Sequence, residues 1–308
     1  MSLSSLVDDA IAAREQQVDN PLRSLFWIAL VSAALVQGCT NLAAVRTYAD
    51  ETKKVSAAFD PMLGGSTTSC VERIKRRKLI TSRKFDAEQA EKDAKALCKS
   101  IDEDNKVISA LNDLLGQYAD TLAALADDKL PSYKKELDGL KDSLGKVKKN
   151  SGAALIDKDK LGAVASLMDS LSRIATEQMQ KSAIRELLGH EDGIKGITDA
   201  LKDYADLNYR GWLNDETREI GSLKSALEKS QERLAANYIQ TLLLEEQQQI
   251  DARAKTIDAF VKSVAALRRA HSEVRVKFDE VDDKELRAKL ADFATEVAQL
   301  RKQLKDAF

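Results

Sequence analysis

The chain has 308 residues, with 48 basic and 50 acidic side chains and a formal net charge of -2. This balance excludes a global positive field that would gather nucleic acid, so we expect no nucleic-acid partner. The two histidines, His190 and His271, lie in no metal-ligand spacing, and the chain carries no HExxH, phosphate-loop or nucleophile-elbow motif. We therefore expect no metal, no cofactor and no enzymatic activity.

An uncharged, mostly apolar run spans residues 25–39 and ends at Cys39. It is shorter than the roughly 20 residues of a transmembrane helix and suits the core of an export signal. Its end, Val36-Gln37-Gly38-Cys39, resembles the lipid-attachment motif of bacterial lipoproteins, with Gln37 as the one departure from the usual residue choices. The resemblance implies that residues 1–38 are removed and that Cys39 is lipidated, which would anchor the protein to a membrane.

The same resemblance implies a location in the cell. Thr40, rather than Asp, follows the cysteine, which in diderm bacteria implies the outer membrane, facing the periplasm. The alternative is a signal-anchor helix with an incidental cysteine. Residues 1–17 are unusually acidic for a leader, so either translation begins later, for example at Val18, or these residues form a real amphipathic helix.

With Cys39 assigned to lipid, Cys70 and Cys98 remain as a pair. In an oxidising compartment such as the periplasm, two leftover cysteines predict a disulfide. The alternative is two buried free thiols. Without the leader, which holds two basic and four acidic residues, the remaining charges balance completely.

The composition after Cys39 predicts an all-α protein. Ala, Leu, Lys, Glu, Gln and Arg dominate, and Pro61 and Pro131 are the only prolines. We expect an elongated antiparallel helical bundle with long, coiled-coil-like helices. The polar stretch at residues 148–152 predicts a boundary between an N-terminal half, 39–150, and a C-terminal half, 151–308.

In the first half, we predict a helix over 41–59 that ends at a turn over 60–65, where Pro61 and two glycines interrupt it. A second helix then begins near residues 66–68. Asp86 and Gln89 resemble a capping pair for a third helix, whose apolar seam of about four heptads runs from Leu97 to Leu125.

In the second half, Asp157 predicts a helix start, and Gly189-His190 predicts a turn. Nothing in the sequence interrupts residues 221–281, which predicts one helix of about 55 to 60 residues, some 80 to 90 Å long. Asp282 and Glu285 resemble a second capping pair. The closing heptad run, 286–304, is expected to fold back antiparallel.

Two clusters are candidate contact sites. The first is basic and could lie against anionic lipid headgroups; the alternative is a solvated helix face. It consists of Arg73, Lys75, Arg76, Arg77 and Lys78. The second is aromatic and is either a docking patch or part of the packing between helices: Tyr204, Tyr209 and Trp212.

These observations favour a structural or partner-binding component of the bacterial cell envelope, a scaffold or spacer tethered through Cys39. Its partner would be another envelope protein or a cell-wall component. Two alternatives belong to other classes: a membrane-active, pore-forming helical protein, and an envelope enzyme with an unrecognised carboxylate site.

His271 is expected on a helix seam as a core histidine.

Overall fold

The computed structural model describes residues 41–129, 131–132, 140–175, 180–280 and 283–308. The leader, 1–38, and the predicted lipidation residue Cys39 lie outside the described residues. Residues 41–308 form one compact unit by themselves.

This unit is an all-α helical bundle, as predicted, and its described part contains no strand, only an isolated bridge between Lys148 and Ala154. One π-helical turn, Tyr204–Tyr209, links two of the helices directly. The α-helices in chain order are α1 (Leu42–Ala57), α2 (Asp60–Thr81), α3 (Ala87–Leu97), α4 (Lys99–Ala126), α5 (Leu140–Leu144), α6 (Lys158–Ile174), α7 (Gln180–Gly189), α8 (Glu191–Asp203), α9 (Arg210–Leu227), α10 (Arg233–Val276) and α11 (Lys284–Ala307).

One hydrophobic core extends through helices from both sides of residue 150. For example, Tyr48 of α1 packs against Phe293 of α11, with ring centroids 6.1 Å apart. The predicted halves, 39–150 and 151–308, therefore do not have separate cores. The polar stretch at 148–152 is a turn, where Gly152 adopts a φ of 83°, and it does not separate two domains.

Helices α10 and α11 form the predicted antiparallel pair. The hydroxyl of Thr256 donates to the Gln303 carbonyl at 3.1 Å, and that of Ser263 donates to the Glu296 carbonyl at 3.0 Å. Along α10, every seventh residue is buried, which is the seam of a coiled coil. These positions are Ala236, Leu243, Ile250, Ile257, Val264 and His271.

The predicted turn over residues 60–65 is wrong. Helix α2 begins at Asp60, directly after α1, and Pro61 occupies its first turn. Proline is tolerated there because the first amide groups of a helix have no intrahelical acceptor. Both glycines of the segment lie inside the helix.

The third predicted helix is interrupted once. Asp86 caps α3 as expected, accepting a hydrogen bond from the Gln89 amide at 3.0 Å, but α3 ends at Leu97 and α4 starts at Lys99. Leu97 is 65 % exposed and does not belong to the seam, which is buried from Ile108 onward. The break at Cys98 coincides with its bond to Cys70.

The predicted long helix over 221–281 is also interrupted. The chain turns at residues 228–232, so that α9 and α10 pack side by side. No glycine or proline causes this turn; folding back buries Leu223 and Leu243, which a straight helix would leave in water. The cap of α11 is Asp283, not Asp282, which lies outside the described residues.

Two other predicted boundaries are confirmed. Helix α6 begins directly after Asp157, and His190 separates α7 from α8.

Candidate functional site

The five basic residues of α2 are paired with carboxylates of the same chain. Each of these five charges therefore has an opposite charge at close range within the chain. The contacts are Arg73 to Asp215 at 2.8 Å, Lys75 to Glu72 at 2.8 Å, Arg76 to Glu216 at 2.8 Å, Arg77 to Glu219 at 2.6 Å, and Lys78 to Asp93.

Helix geometry explains why so many pairs form at once. Arg73 and Arg77 are four residues apart on α2, and their partners Asp215 and Glu219 are four apart on α9. Residues at this spacing share one helix face. The two helices therefore run parallel with matching rows of opposite charge.

Arg76 is the centre of this interface. Its side chain is only 8 % exposed, and it donates to Glu216 at 2.8 Å and to Glu246 of α10 at 2.9 Å. Burial lowers the pKa of Arg76, but the hydrogen bond that it donates to Glu216 and the charges of Glu216, Glu246 and Glu72 outweigh burial and raise the pKa above its ordinary value. Arg76 therefore stays charged.

Glu216 is the most buried carboxylate of the group, with a side chain 1 % exposed. Its Oε1 accepts from Arg76 and lies 3.6 Å from Arg253 of α10. Its Oε2 is buried and has no hydrogen-bond partner among the described residues. Arg253 also donates to the Ser69 hydroxyl at 3.1 Å. One oxygen of Glu216, Oε1, therefore forms ion pairs with two arginines.

A cavity of about 640 Å³, here called the charged chamber, opens beside these groups. Its walls come from α2, α9, α10 and the end of α11. It is lined by three carboxylates and two guanidinium groups, those of Glu72, Glu216, Glu246, Arg76 and Arg253.

A second cavity of about 490 Å³, the apolar chamber, adjoins the first. The two share Glu72, Arg76 and Glu246 as lining residues, and together we call them the cleft. Seven large apolar side chains line the second chamber: Leu79, Phe85, Leu223, Leu227, Ile239, Leu242 and Leu243. Several of them remain partly exposed, Leu79 by 45 %, so this end of the bundle presents apolar surface to solvent.

The aromatic cluster belongs to the core. Tyr204 and Tyr209 are buried, and Trp212 packs edge-on against Tyr204 with ring centroids 6.0 Å apart. The two tyrosine rings are therefore part of the packing between helices, and Trp212 is partly buried against the same core. The π-helical turn places both tyrosines on the inward side, where burial raises the pKa of Tyr209 to about 12.

Cys70 and Cys98 form the predicted disulfide. It lies in a small apolar cluster with Val71 and Ala94, separate from the main core. This cluster attaches α3 to α2.

His271 lies on the α10 seam inside the main core, as predicted. It packs against Tyr48 and Tyr118, with ring centroids 5.7 and 6.1 Å away. Burial, followed by the charge of Arg275, lowers its pKa to about 4. His190 lies outside that cluster and contacts the Ser170 hydroxyl at 2.8 Å.

Among the described residues, no three His, Cys, Asp or Glu side chains come together in a way that could hold a metal ion. In the same part of the chain, no helix combines the length and apolar composition needed to cross a bilayer.

The local sequence does not predict the cleft. Its carboxylates come from α2, α9 and α10, far apart in the chain, and only folding brings them to one place. Leu234, Tyr238 and Leu242 were a usable signal, because their spacing of four predicts one helix face; this face turns out to be exposed. No protein-family model, curated protein or solved structure matches the chain.

Proposed function

We propose that the chain is a lipid-anchored, extracytoplasmic helical protein of the bacterial cell envelope, which binds a partner or ligand at its cleft end. The lipoprotein-like end of the apolar run, residues 36–39, supports the anchor. The Cys70–Cys98 disulfide supports an oxidising compartment, since such bonds are rare in the bacterial cytosol.

The observation that carries the proposal is the separation between Asn41, the first described residue, and the cleft. The Asn41 amide donates to the Phe278 carbonyl at 2.9 Å, just after the C-terminal end of α10. Cys39 precedes Asn41 by two residues in the sequence. The cleft uses Ile239 and Leu243, near the opposite end of α10, roughly 50 Å away at 1.5 Å per residue.

This separation suits a spacer. A lipid on Cys39 would hold one end of α10 at the membrane and leave the other end, with its apolar surface, free to reach a second component. That component would be an envelope protein or the cell wall.

The anchor is tested with Cys39→Ala. We expect the variant to lose incorporation of a clickable fatty acid and to leave the membrane fraction after an alkaline carbonate wash. The matched control, Cys70→Ser with Cys98→Ser, should keep both. If Cys39→Ala stays in the membrane without label, the apolar run itself is the anchor, and the lipoprotein assignment is wrong.

The partner is tested by photo-crosslinking in intact cells from two exposed positions. A photoreactive residue at Tyr238, close to the cleft, should capture a specific envelope protein or cell-wall fragment. The control position, Glu280, lies at the tether end and should not give the same product. Identical products from both positions would contradict a partner held at the cleft end.

A further inference from the structure

The N-terminal part of α10 buries very few of its side chains. In residues 233–245 only Ala236 and Leu243 are buried, and all residues between the two ends of this segment are uncharged. A helix segment of such apolar character is normally covered by other helices. Here Leu234 and Tyr238 are 86 % and 66 % exposed, more than any other large apolar side chain in the described part of the chain.

The exposed residues continue the face of α10 that pairs with α11. Thr256 and Ser263, which donate to α11, lie two and three heptads after Leu242. The buried Ala259 lies three heptads after Tyr238. The face that receives a partner helix in the C-terminal part of α10 is therefore apolar and exposed in the N-terminal part. We call this exposed surface the apolar stripe; it consists of Leu234, Tyr238 and Leu242.

The apolar stripe adjoins the apolar chamber, so a ridge and a recess lie side by side. Leu234 and Tyr238 are exposed over most of their surface, whereas Leu79, Phe85 and Leu242 line the cavity. A surface with both features is complementary to a rotated copy of itself. In a two-fold symmetric pair, the ridge of each copy enters the recess of the other, and both are covered at once.

The charged residues that line the apolar chamber do not oppose this pairing. Lys75 pairs with Glu72 at 2.8 Å, and Arg76 pairs with Glu246 at 2.9 Å. Each of these charges already has a partner in its own chain. A second copy that covers the chamber therefore buries no unpaired charge, which would be costly.

The exposed charges around the stripe favour a protein surface over a membrane. Anionic headgroups attract clusters of basic residues. Residues 79–86 and 228–245, which border the stripe and the chamber, instead carry four exposed basic and four exposed acidic side chains and have no net charge. The basic ones are Arg83, Lys84, Lys229 and Arg233, and the acidic ones are Asp86, Glu228, Glu232 and Glu245.

Glu245 determines the direction of the pair. It lies one heptad after Tyr238 and so occupies the same helix face, at one end of the stripe. A parallel pair would place the two Glu245 carboxylates side by side, which is unfavourable for like charges. An antiparallel pair separates them by the length of the stripe.

The exposed apolar area suits a stable dimer. Six large apolar side chains contribute, and on average about half of each is exposed. With roughly 200 Å² for a large side chain that is completely exposed, they offer on the order of 600 Å². A standard interface contributes about 800 Å² per partner, a little over half of it apolar. The six are Leu79, Phe85, Leu234, Tyr238, Ile239 and Leu242.

We infer that the partner at the cleft end is a second copy of this chain. The two apolar stripes pair antiparallel about a two-fold axis, and Tyr238 of each copy enters the apolar chamber of the other. The inference rests on the proposed function in taking the cleft end as the binding end, and it does not require the lipid tether.

The test in intact cells uses two forms of the full chain expressed together. One carries a photoreactive residue at Tyr238, and the other carries an affinity tag and no photoreactive residue. Illumination should join the two forms, and the cross-links should fall on peptides of the tagged copy that contain residues 79–85 or 239–243. A photoreactive residue at Glu280 is the control and should give at least fivefold less of this product.

Sedimentation of the full chain, extracted with a mild detergent, measures the strength of the pair. We expect twice the mass of one chain at micromolar concentration. Tyr238→Glu and Leu234→Glu should each weaken the dimer at least tenfold. Leu97→Glu is the matched control, because Leu97 is 65 % exposed but lies at the end of α3, and it should leave the dimer unchanged. Circular dichroism checks that all three variants fold.

A monomer at every concentration would overturn the inference. So would a product at Tyr238 that contains only a different protein or a lipid, and so would a cross-link within one chain, because the chain would then cover its own stripe. Capture of a different protein would keep the proposed function and remove only the second copy. A dimer that persists in Cys39→Ala, when that variant stays in the membrane without label, would mean that only the lipid tether is wrong.

Discussion

Arg76 and Glu216 form a buried ion pair at 2.8 Å although they are 140 residues apart in the chain. The pair joins α2 to α9, and its shielding from water distinguishes it from the neighbouring pair of Arg77 with Glu219, in which the arginine side chain is 62 % exposed.

Removing one partner of the buried pair should destabilise the protein strongly. We expect Glu216→Ala to lower the free energy of unfolding by about 3 kcal/mol, because it leaves two arginines facing the site with less compensation. Arg77→Ala should cost less than about 1 kcal/mol, as is usual for exposed pairs. Urea unfolding measures both, and equal losses would mean that the burial of Arg76 has no energetic consequence.

Gly65 is expected to tolerate no side chain. A Cβ there would overlap the Tyr209 hydroxyl and would lie 2.7 Å from the Phe308 ring. The Phe308 side chain is exposed and can move, whereas Tyr209 is buried, so Gly65→Ala should destabilise the protein by about 1 to 3 kcal/mol.

The matched control is Gly64→Ala. Nothing lies within 4 Å of a Cβ at this adjacent helical position, and alanine should stabilise the helix by about 0.5 to 1 kcal/mol. Thermal unfolding of the two variants should therefore shift in opposite directions. A shift in the same direction would show that the Tyr209 contact does not restrict Gly65.

His271 should make stability depend on pH. Its pKa is about 4 in the folded state against an ordinary value near 6.5, so the unfolded chain binds the proton more readily. The stabilisation is complete above pH 6.5 and is lost as pH falls toward 4, by on the order of 3 kcal/mol.

His271→Leu removes this pH-dependent contribution. The free energy of unfolding of the wild type, relative to that of the variant, should therefore fall as the pH drops from 7 to 4. Denaturant unfolding at several pH values measures it. A difference that stays constant over this range would contradict a neutral buried imidazole.

The disulfide should stabilise mainly the attachment of α3. That helix buries only Ala90 and Ala94, and its cluster with Cys70 and Cys98 is separate from the main core. Reduction should cost roughly 3 kcal/mol in the chain-entropy model for a bridge with a sequence separation of 28 residues.

Hydrogen exchange measures which helices lose stability when the disulfide is reduced. After reduction, amides of α3 should exchange faster, while those of α10 around Phe260 should keep their protection. Uniform acceleration across the bundle would mean that α3 is part of the global folding unit.

Local signals in the sequence were sufficient for the fold class and for several helix boundaries. Asp86 caps its helix through its own carboxylate, and the heptad pattern from Ile257 to Val274 is buried as a seam. Such features depend on residues a few positions apart, so their physics can be read along the chain. The pairing of Cys70 with Cys98 could be predicted because Cys39 was interpreted as the lipidation site, which left two cysteines.

Only the tertiary structure decided where the helices are interrupted and which charged residues form ion pairs with each other. The turn at residues 228–232 and the break at Cys98 have no glycine or proline; they form because packing and the disulfide favour them. The basic residues of α2 form a single charge run in the sequence, yet burial against α9 makes Arg76 the centre of an internal network. Long-range pairing decides these features, since the energy of a buried charge depends on partners that the local sequence does not contain.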